Sequence, residues 1–169
     1  MCMQGDAGAQ YRLYALYSRA MFNICFRMTG SQEDAEDLLQ DAFVSAFGRL
    51  SGFRFESSFG AWLKKIVVNT CINHLKKKRV DLVLQEEMSD GNPEVDEVDY
   101  GDIEMKAEQV RQAVEKLPDG YRIIFSLYLL EGYDHKEISE ILGISESTSK
   151  SQFLRAKQKI KEILESHER

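Results

Sequence analysis

Near the C-terminus, Ser147, Lys150, Ser151, Leu154, Arg155 and Gln158 recur at intervals of three and four or as direct neighbours. That spacing puts them along one side of a helix. Lysine and arginine donate to guanine O6 and N7 or to phosphate oxygens. Serine is short enough for close approach, and leucine can touch a thymine methyl. The first turn of such a helix also offers backbone N–H groups to a phosphate. The chemistry is that of duplex reading in a major groove; the alternative is a solvated face of a small helical bundle.

The residues just upstream would hold that stripe in place. Asp134 and Glu137 form a capping pair for a helix over 135–142, Gly143 closes it, and Ser145 caps a helix from 146 to about 165. A short helix, a three-residue turn containing glycine and a longer helix make a helix-turn-helix. Its core would use Ile138, Ile141, Leu142 and Ile144 against Ser149, Phe153, Ala156, Ile160 and Ile163.

Earlier in the chain, Leu13, Leu16, Tyr17, Ala20, Ile24 and Met28 predict one buried face of a helix over 9–29, closed by Gly30. Ser31 caps the next helix, which has an apolar stripe of Ala35, Leu38, Leu39, Ala42, Phe43, Ala46 and Leu50. Its other side carries Glu36, Asp37, Gln40 and Asp41. Residues 51–58 read as a loop, and Ser58 caps a helix from about 59 to 78. That helix would bury Phe59, Trp62, Leu63, Ile66, Val67 and Thr70, and expose Lys65, Asn69, Asn73 and Lys76. Ile103, Ala107, Val110, Val114 and Leu117 predict a further helix, and 121–131 an apolar one. No strand and no repeat is needed.

The 169 residues carry a net charge of −6, but the charge is segregated. Residues 54–79 hold seven Lys/Arg and one Glu, and 144–161 hold five and one. Between them, 80–104 hold ten Asp/Glu and no Lys or Arg. A duplex reader needs positive potential along its contact path, which net charge only modulates. The acidic stretch has no sustained period and contains Gly91 and Pro93. It reads as a flexible linker, and its length argues for two domains.

No apolar run is long enough to span a membrane, and the start lacks a secretory pattern. Three cysteines without CxxC spacing fit a reducing cytoplasm. Cys71 and His74 stand three apart, but no further His or Cys lies near them; His135 and His167 are single. No metal, no cofactor and no catalytic residue is expected.

Two long stretches carry a family resemblance. "LPDGYRIIFSLYLLEGYDHKEISEILGISESTSKSQFLRAKQKI" resembles the −35-reading domain of extracytoplasmic-function (ECF) sigma factors of bacterial RNA polymerase. "GSQEDAEDLLQDAFVSAFGRLSGFRFESSFGAWLKKIVVNTCINHLKKKR" is similar to region 2 of the same family. The resemblance covers roughly residues 5–165. It implies an all-α protein of two small helical domains joined by a flexible acidic linker, the second domain bearing the helix-turn-helix. The spans are 5–80 for region 2, 81–103 for the linker and 104–169 for region 4.

The resemblance implies a non-enzyme that binds core RNA polymerase, directs it to promoter DNA and helps open it. Glu36, Asp37, Gln40 and Asp41 would dock on polymerase. Arg54, Ser57, Ser58, Lys65, Asn69, Asn73, Lys76, Lys77 and Arg79 would engage the −10 element, with Lys64 and Lys78 along phosphates. Phe59 is a candidate for the loop that captures an unstacked base, although its period, like that of Trp62, favours core packing. Ser147, Thr148, Lys150, Ser151, Leu154 and Arg155 would engage the −35 element, with Ser147 and Thr148 near phosphate. An anti-sigma factor is a further implied partner. A stand-alone helix-turn-helix regulator is the alternative, but it leaves 31–79 without a role.

Four departures from the family carry expectations. The chain begins at "MCMQGDAG", late for the family, which implies a short first helix or a trimmed start. Phe55 stands where glycine is common, which implies an altered loop. Ser149 replaces the usual valine and needs a hydrogen-bond partner, the carbonyl one turn back being at hand. Gln152 replaces a common arginine and would remove a cation from the DNA side. The ten carboxylates of 80–104 are expected to mimic nucleic acid along polymerase and to repel DNA from the free chain.

Overall fold

A computed structural model describes residues 6–77 and 103–167. Lys78, Arg79 and the acidic stretch up to residue 102 lie outside the described residues, as do the side chains of residues 103–107, with them the expected buried places of Ile103 and Ala107, and that of His167. Every regular element among the described residues is helical. The chain divides into two compact units, Met1–Val80 and Asp81–Arg169.

The first unit packs three helices against one another: α1 (Ala7–Thr29), α2 (Gln32–Gly48) and α3 (Phe59–Lys77). Each begins where a side-chain oxygen takes up orphan amide donors. The Asp6 carboxylate accepts from the N–H groups of Gly8 and Ala9 at 2.9 and 3.1 Å. The Ser31 hydroxyl accepts from Asp34 at 3.2 Å, and that of Ser58 from Ala61 at 3.2 Å. Each such cap is worth about 1 kcal/mol. Gly30 ends α1 at φ 68°, a conformation that costs glycine least.

At 23 residues, α1 is not short, and its buried face differs from the expected one. Ala9, Met21, Ile24, Cys25 and Met28 are buried, whereas Leu16 and Ala20 face solvent, Leu16 at 71%. Tyr17 packs on Phe59, with ring centroids 5.3 Å apart. It also closes over Gly60, where a Cβ would come within 2.9 Å of the Tyr17 ring. On α3 the buried line is Leu63, Val67, Val68, Cys71, Ile72 and Leu75. Ile66 and Thr70 sit at its edge, half-buried. The Cys25 and Cys71 thiols are both fully buried and hydrogen-bonded to each other. That bond, with burial, pushes the Cys71 thiol far above its ordinary pKa.

The second unit holds α4 (Ile103–Glu115), α5 (Asp119–Phe125), α6 (His135–Leu142) and α7 (Glu146–His167). Ala113, Val114, Leu117, Phe125, Ala156 and Ile160 form its core, with Phe153 and Ile163 packed on it. The buried Arg122 guanidinium donates to the Asp119 carboxylate at 2.6 Å and to the Leu117 carbonyl at 3.2 Å, which pins the α4–α5 turn. The helix expected over 121–131 is not uniform. After α5 the backbone widens into a π-helical turn, Ser126–Leu130, where the Glu131 N–H donates to the Ser126 carbonyl at 3.0 Å. The wider turn rotates its own last residues about the helix axis, so Leu129 and Leu130 face solvent although the run is apolar.

Candidate nucleic-acid and polymerase interfaces

In the second unit the turn between α6 and α7 is Gly143–Ile144–Ser145, with Gly143 at φ 72°. The capping box at Asp134 and Glu137 is complete, with bonds of 2.8 and 2.9 Å. The Ser145 hydroxyl accepts from the Thr148 N–H at 3.0 Å, which starts α7. The helix-turn-helix is thereby assembled from local hydrogen bonds before any ligand arrives.

On α7, Ser147, Lys150 and Ser151 are exposed, and Leu154 and Arg155 are half-buried. Thr148 differs from the other five. Its side chain turns inward, 9% exposed, and its hydroxyl bonds that of Ser145 at 2.7 Å. Its N–H and its hydroxyl are both engaged by Ser145, so Thr148 holds the start of α7 and is not itself open to a phosphate. The Lys150 ammonium sits 2.7 Å from the Glu146 carboxylate, and that bond lowers the Glu146 pKa. Gln152 does not lie on the DNA side. It is 2% exposed, so the residue replacing an arginine here alters the interior and not the cationic face. Ser149 is fully buried and finds its partner in His135 Nδ1 at 2.9 Å, not in the carbonyl one turn back.

In the first unit, Lys65, Asn69, Asn73, Lys76 and Lys77 are all exposed on α3, and Lys64 is half-buried. The first four form a line of amides and ammonium groups, able to bond base edges and phosphates along one side of the helix. The loop before α3 exposes Arg54, Ser57 and Ser58, although the Ser58 hydroxyl is engaged as the α3 cap. Phe53 is buried and touches Trp62 and Phe59, with centroids 5.1 and 6.1 Å away. Phe59 and Trp62 are half-buried and 5.6 Å apart, so they belong mainly to this aromatic packing. Phe55 adopts φ 57°, where a non-glycine residue is strained by about 1–2 kcal/mol. The backbone thus takes a path glycine would take freely, and the phenylalanine adds an exposed ring to it.

Glu36, Asp37, Gln40 and Asp41 are exposed on α2. Beside them a groove between α1 and α2 is lined by Tyr14, Glu36, Leu39, Gln40, Phe43, Val44 and Phe47. Val44 is 67% exposed, and Tyr14 is partly open. Sequence reading passed over Val44, but a signal was there. It continues the 37, 40, 41 series at the next helical step, an apolar side chain on an otherwise polar face.

Cys71 and His74 do not converge on a common ligand position. Cys71 bonds Cys25, and His74 Nε2 lies 3.6 Å from Asp34. No group of three metal-ligating side chains occurs among the described residues. No helix there is long and apolar enough to cross a membrane.

A helix-turn-helix with a cationic stripe, in one chain with a second helical unit exposing amides and lysines, defines a DNA-binding transcription protein. Comparison with known proteins narrows that class. Residues 13–80 match Sigma-70 region 2, and residues 107–160 match Sigma-70, region 4. The chain is 30% identical over 168 residues to the ECF RNA polymerase sigma-E factor of Escherichia coli K12, covering 93% of this chain and 87% of that protein. It is 29% identical over 174 residues to the ECF RNA polymerase sigma factor SigW of Bacillus subtilis, covering 95% and 91%. A solved sigma factor RpoE from Bartonella quintana, in complex with the anti-sigma factor NepR, shares the fold at TM-score 0.58 and 21% identity, covering 92% of this chain and 96% of that one. CnrH, solved with the cytosolic domain of CnrY, gives 0.56 and 22%, covering 98% and 93%.

The chain belongs to the ECF RNA polymerase sigma factors. It directs RNA polymerase to promoters and is not itself an enzyme. The match over 13–80 gives a role to the half that a stand-alone regulator would leave idle.

Proposed function

We propose that this sigma factor divides promoter reading between its two units, within the boundaries 5–80, 81–103 and 104–169. Lys150, Ser151, Leu154 and Arg155 read the −35 element, while Ser147 meets phosphate and Thr148, turned inward onto Ser145, holds the start of α7 beside it. Arg54, Ser57, Ser58, Lys65, Asn69, Asn73, Lys76, Lys77 and Arg79 engage the −10 element, with Arg79 argued from sequence alone. Glu36, Asp37, Gln40 and Asp41, with Val44 among them, dock on core polymerase. The observation that carries this reading is the exposed line Lys65, Asn69, Asn73, Lys76 on a capped helix, matched by the exposed Ser147, Lys150, Ser151 on another. Such faces suit a polyanion better than a protein interior.

An anti-sigma factor is a fitting partner, because RpoE of Bartonella quintana was solved in complex with the anti-sigma factor NepR. The cytoplasm, where polymerase works, is the fitting location. The test is to map transcription start sites after overexpression, align the upstream DNA, and reconstitute transcription with core polymerase plus the chain. Arg155→Ala should lower output from promoters with the mapped −35 sequence, and Asn69→Ala from those with the mapped −10 sequence. Unchanged promoter choice in both variants overturns the division proposed.

A further inference from the structure

Ser149 is a fully buried hydroxyl on the inward side of α7, and the group that meets it is titratable. The half-buried His135 ring, in the first turn of α6, bonds it through Nδ1 at 2.9 Å. Tyr128 stacks on the ring at 4.4 Å and Phe153 meets it edge-on at 5.7 Å, so the imidazole is fixed inside the helix-turn-helix. The charged groups that face it among the described residues are Asp134, which caps α6, and Glu146 and Lys150 on α7; the π turn contributes the Tyr128 phenol. Burial, followed by the Lys150 ammonium, lowers the imidazole pKa, while Glu146 and Asp134 act the other way. Glu146 is itself committed to Lys150, at 2.7 Å.

We propose that the helix-turn-helix takes up a proton on His135 as it binds the −35 duplex, so that recognition of this element strengthens as the pH falls. The proposal rests on the −35 reading, in which Lys150 turns to DNA. A duplex lays one negative charge per about 1.7 Å of its axis beside α7. Once the ammonium faces the duplex, two changes occur together. The cation that opposes a charge on the ring is screened, and the carboxylate that favours one is released. Both move the proton equilibrium of the ring in the same direction. The proton comes from solvent, and the charged imidazole donates from both nitrogens. Its bond to Ser149 survives, because a hydroxyl accepts as well as donates. An aliphatic side chain at 149 would leave the charged Nδ1–H without an acceptor. The buried serine thus lets the ring change charge without breaking the joint between α6 and α7. Bound protein holds the proton to a higher pH than free protein. Affinity therefore rises as pH falls through the interval between the two pKa values and is level on either side of it.

The test uses holoenzyme assembled from core polymerase and the full chain, titrated at fixed salt with a duplex carrying the mapped −35 sequence. From about pH 8 to about pH 6 its affinity should rise severalfold, reaching about tenfold for a shift of one pKa unit. His135→Phe should flatten this rise, and Glu146→Gln should reduce it. Calorimetry near about pH 6.5, in buffers of different ionisation enthalpy, counts the protons directly. Natural holoenzyme should take up a fraction of a proton more than the His135→Phe form. Glu146→Gln, a change at an exposed residue, keeps the comparison open if the histidine variant does not assemble. Equal proton uptake by the natural and variant proteins would overturn the proposal, and so would natural holoenzyme that releases protons which His135→Phe does not. Lys150→Ala and Arg155→Ala are measured beside them. If these weaken −35 binding while proton uptake is the same with and without His135, only the proton link fails; if neither weakens it, the −35 assignment falls as well.

Discussion

The imidazole Nδ1 of His135, in the first turn of α6, lies 2.9 Å from the Ser149 hydroxyl on α7, so one hydrogen bond ties the two helices of the helix-turn-helix together. The ring also stacks on Tyr128 at 4.4 Å and meets the edge of Phe153 at 5.7 Å. Burial first, and then the Lys150 charge, lowers the His135 pKa; Glu146 and Asp134 act in the opposite direction. The folded state thus disfavours the protonated ring, and the unfolded chain takes up the proton at higher pH. The resulting stabilisation is complete above the ordinary imidazole pKa of about 6.5 and is lost as pH falls through the lowered folded value.

The second unit should therefore melt at a lower temperature near about pH 5 than near about pH 7.5, and His135→Phe should shrink the difference. Phenylalanine keeps the ring packing and removes the titration. Melting is followed in the full chain through the α6 amide signals in NMR. Carboxylates titrate in both proteins, so the comparison between them isolates the histidine. An identical pH dependence in the variant would show that the ring does not titrate against folding.

Lys150 is held by Glu146 in the free protein. On the proposed −35 reading DNA competes for it, and an exposed pair of this kind is weak enough to be exchanged. Glu146→Gln removes a negative charge from the first turn of α7 and frees the ammonium, so binding to the −35 duplex should tighten severalfold at low salt. Lys150→Ala should weaken it by about 1–3 kcal/mol, the range of a base-directed contact. Equilibrium titrations of holoenzyme with duplexes carrying and lacking the mapped −35 sequence decide both. A Glu146→Gln protein that bound more weakly would mean that the carboxylate orients Lys150 instead of restraining it.

How far the fold could be read from sequence depended on how one-sided each helix is. On α2 the apolar residues other than Val44 gather on one side, and the buried set Ala35, Leu38, Leu39, Ala42, Phe43 and Ala46 matches the stripe that spacing alone predicts. On α1, Leu13, Tyr14, Leu16, Tyr17, Ala20 and Met21, together with Phe22, Cys25 and Phe26, spread round most of the helix, so periodicity alone does not choose among faces, and the expected inward place of Leu16 is not the one it takes. The π turn has no local sequence mark, because it answers to packing: Phe125 and Tyr128 both meet Phe153, at 5.8 and 4.5 Å. Ser149 needs a partner on sequence grounds, but His135 stands fourteen residues away and comes into reach only through the helix-turn-helix. Cys25 and Cys71 met for the same kind of reason, across the α1–α3 contact. Helix caps, in contrast, depend on neighbours in sequence, and Ser31, Ser58, Asp134 and Ser145 all cap where expected.

Val44 sits among exposed acids on α2, above the groove it shares with Tyr14 and Phe43. A docking surface of this composition gains affinity from the apolar centre and rate from the charged rim. Val44→Ser should therefore speed dissociation from core polymerase, whereas Asp37→Lys should mainly slow association and remove its salt dependence. Both side chains are exposed, so folding should be unaffected, and circular dichroism checks that. Surface-immobilised core polymerase reports the two rates separately. If neither rate changes, this face of α2 is a solvated surface.

Lys77 closes α3 in a turn that also contains Lys76 and His74. Its ammonium is exposed and near the helix C-terminus, where a cation is favoured and no base edge is required. Its role should therefore be electrostatic. A lysine that neutralises one phosphate releases about one condensed counterion, and its loss should flatten the plot of log affinity against log salt by about 0.7–0.9. Lys77→Ala should accordingly weaken holoenzyme on every promoter by the same factor, most at low salt and least at high salt. Arg155→Ala should behave differently, changing the ranking among −35 variants. Salt titrations on several promoters separate the two kinds of contact. If Lys77→Ala reordered promoters instead of weakening all alike, the end of α3 would be reading bases, and its phosphate role would pass to another cation of the first unit.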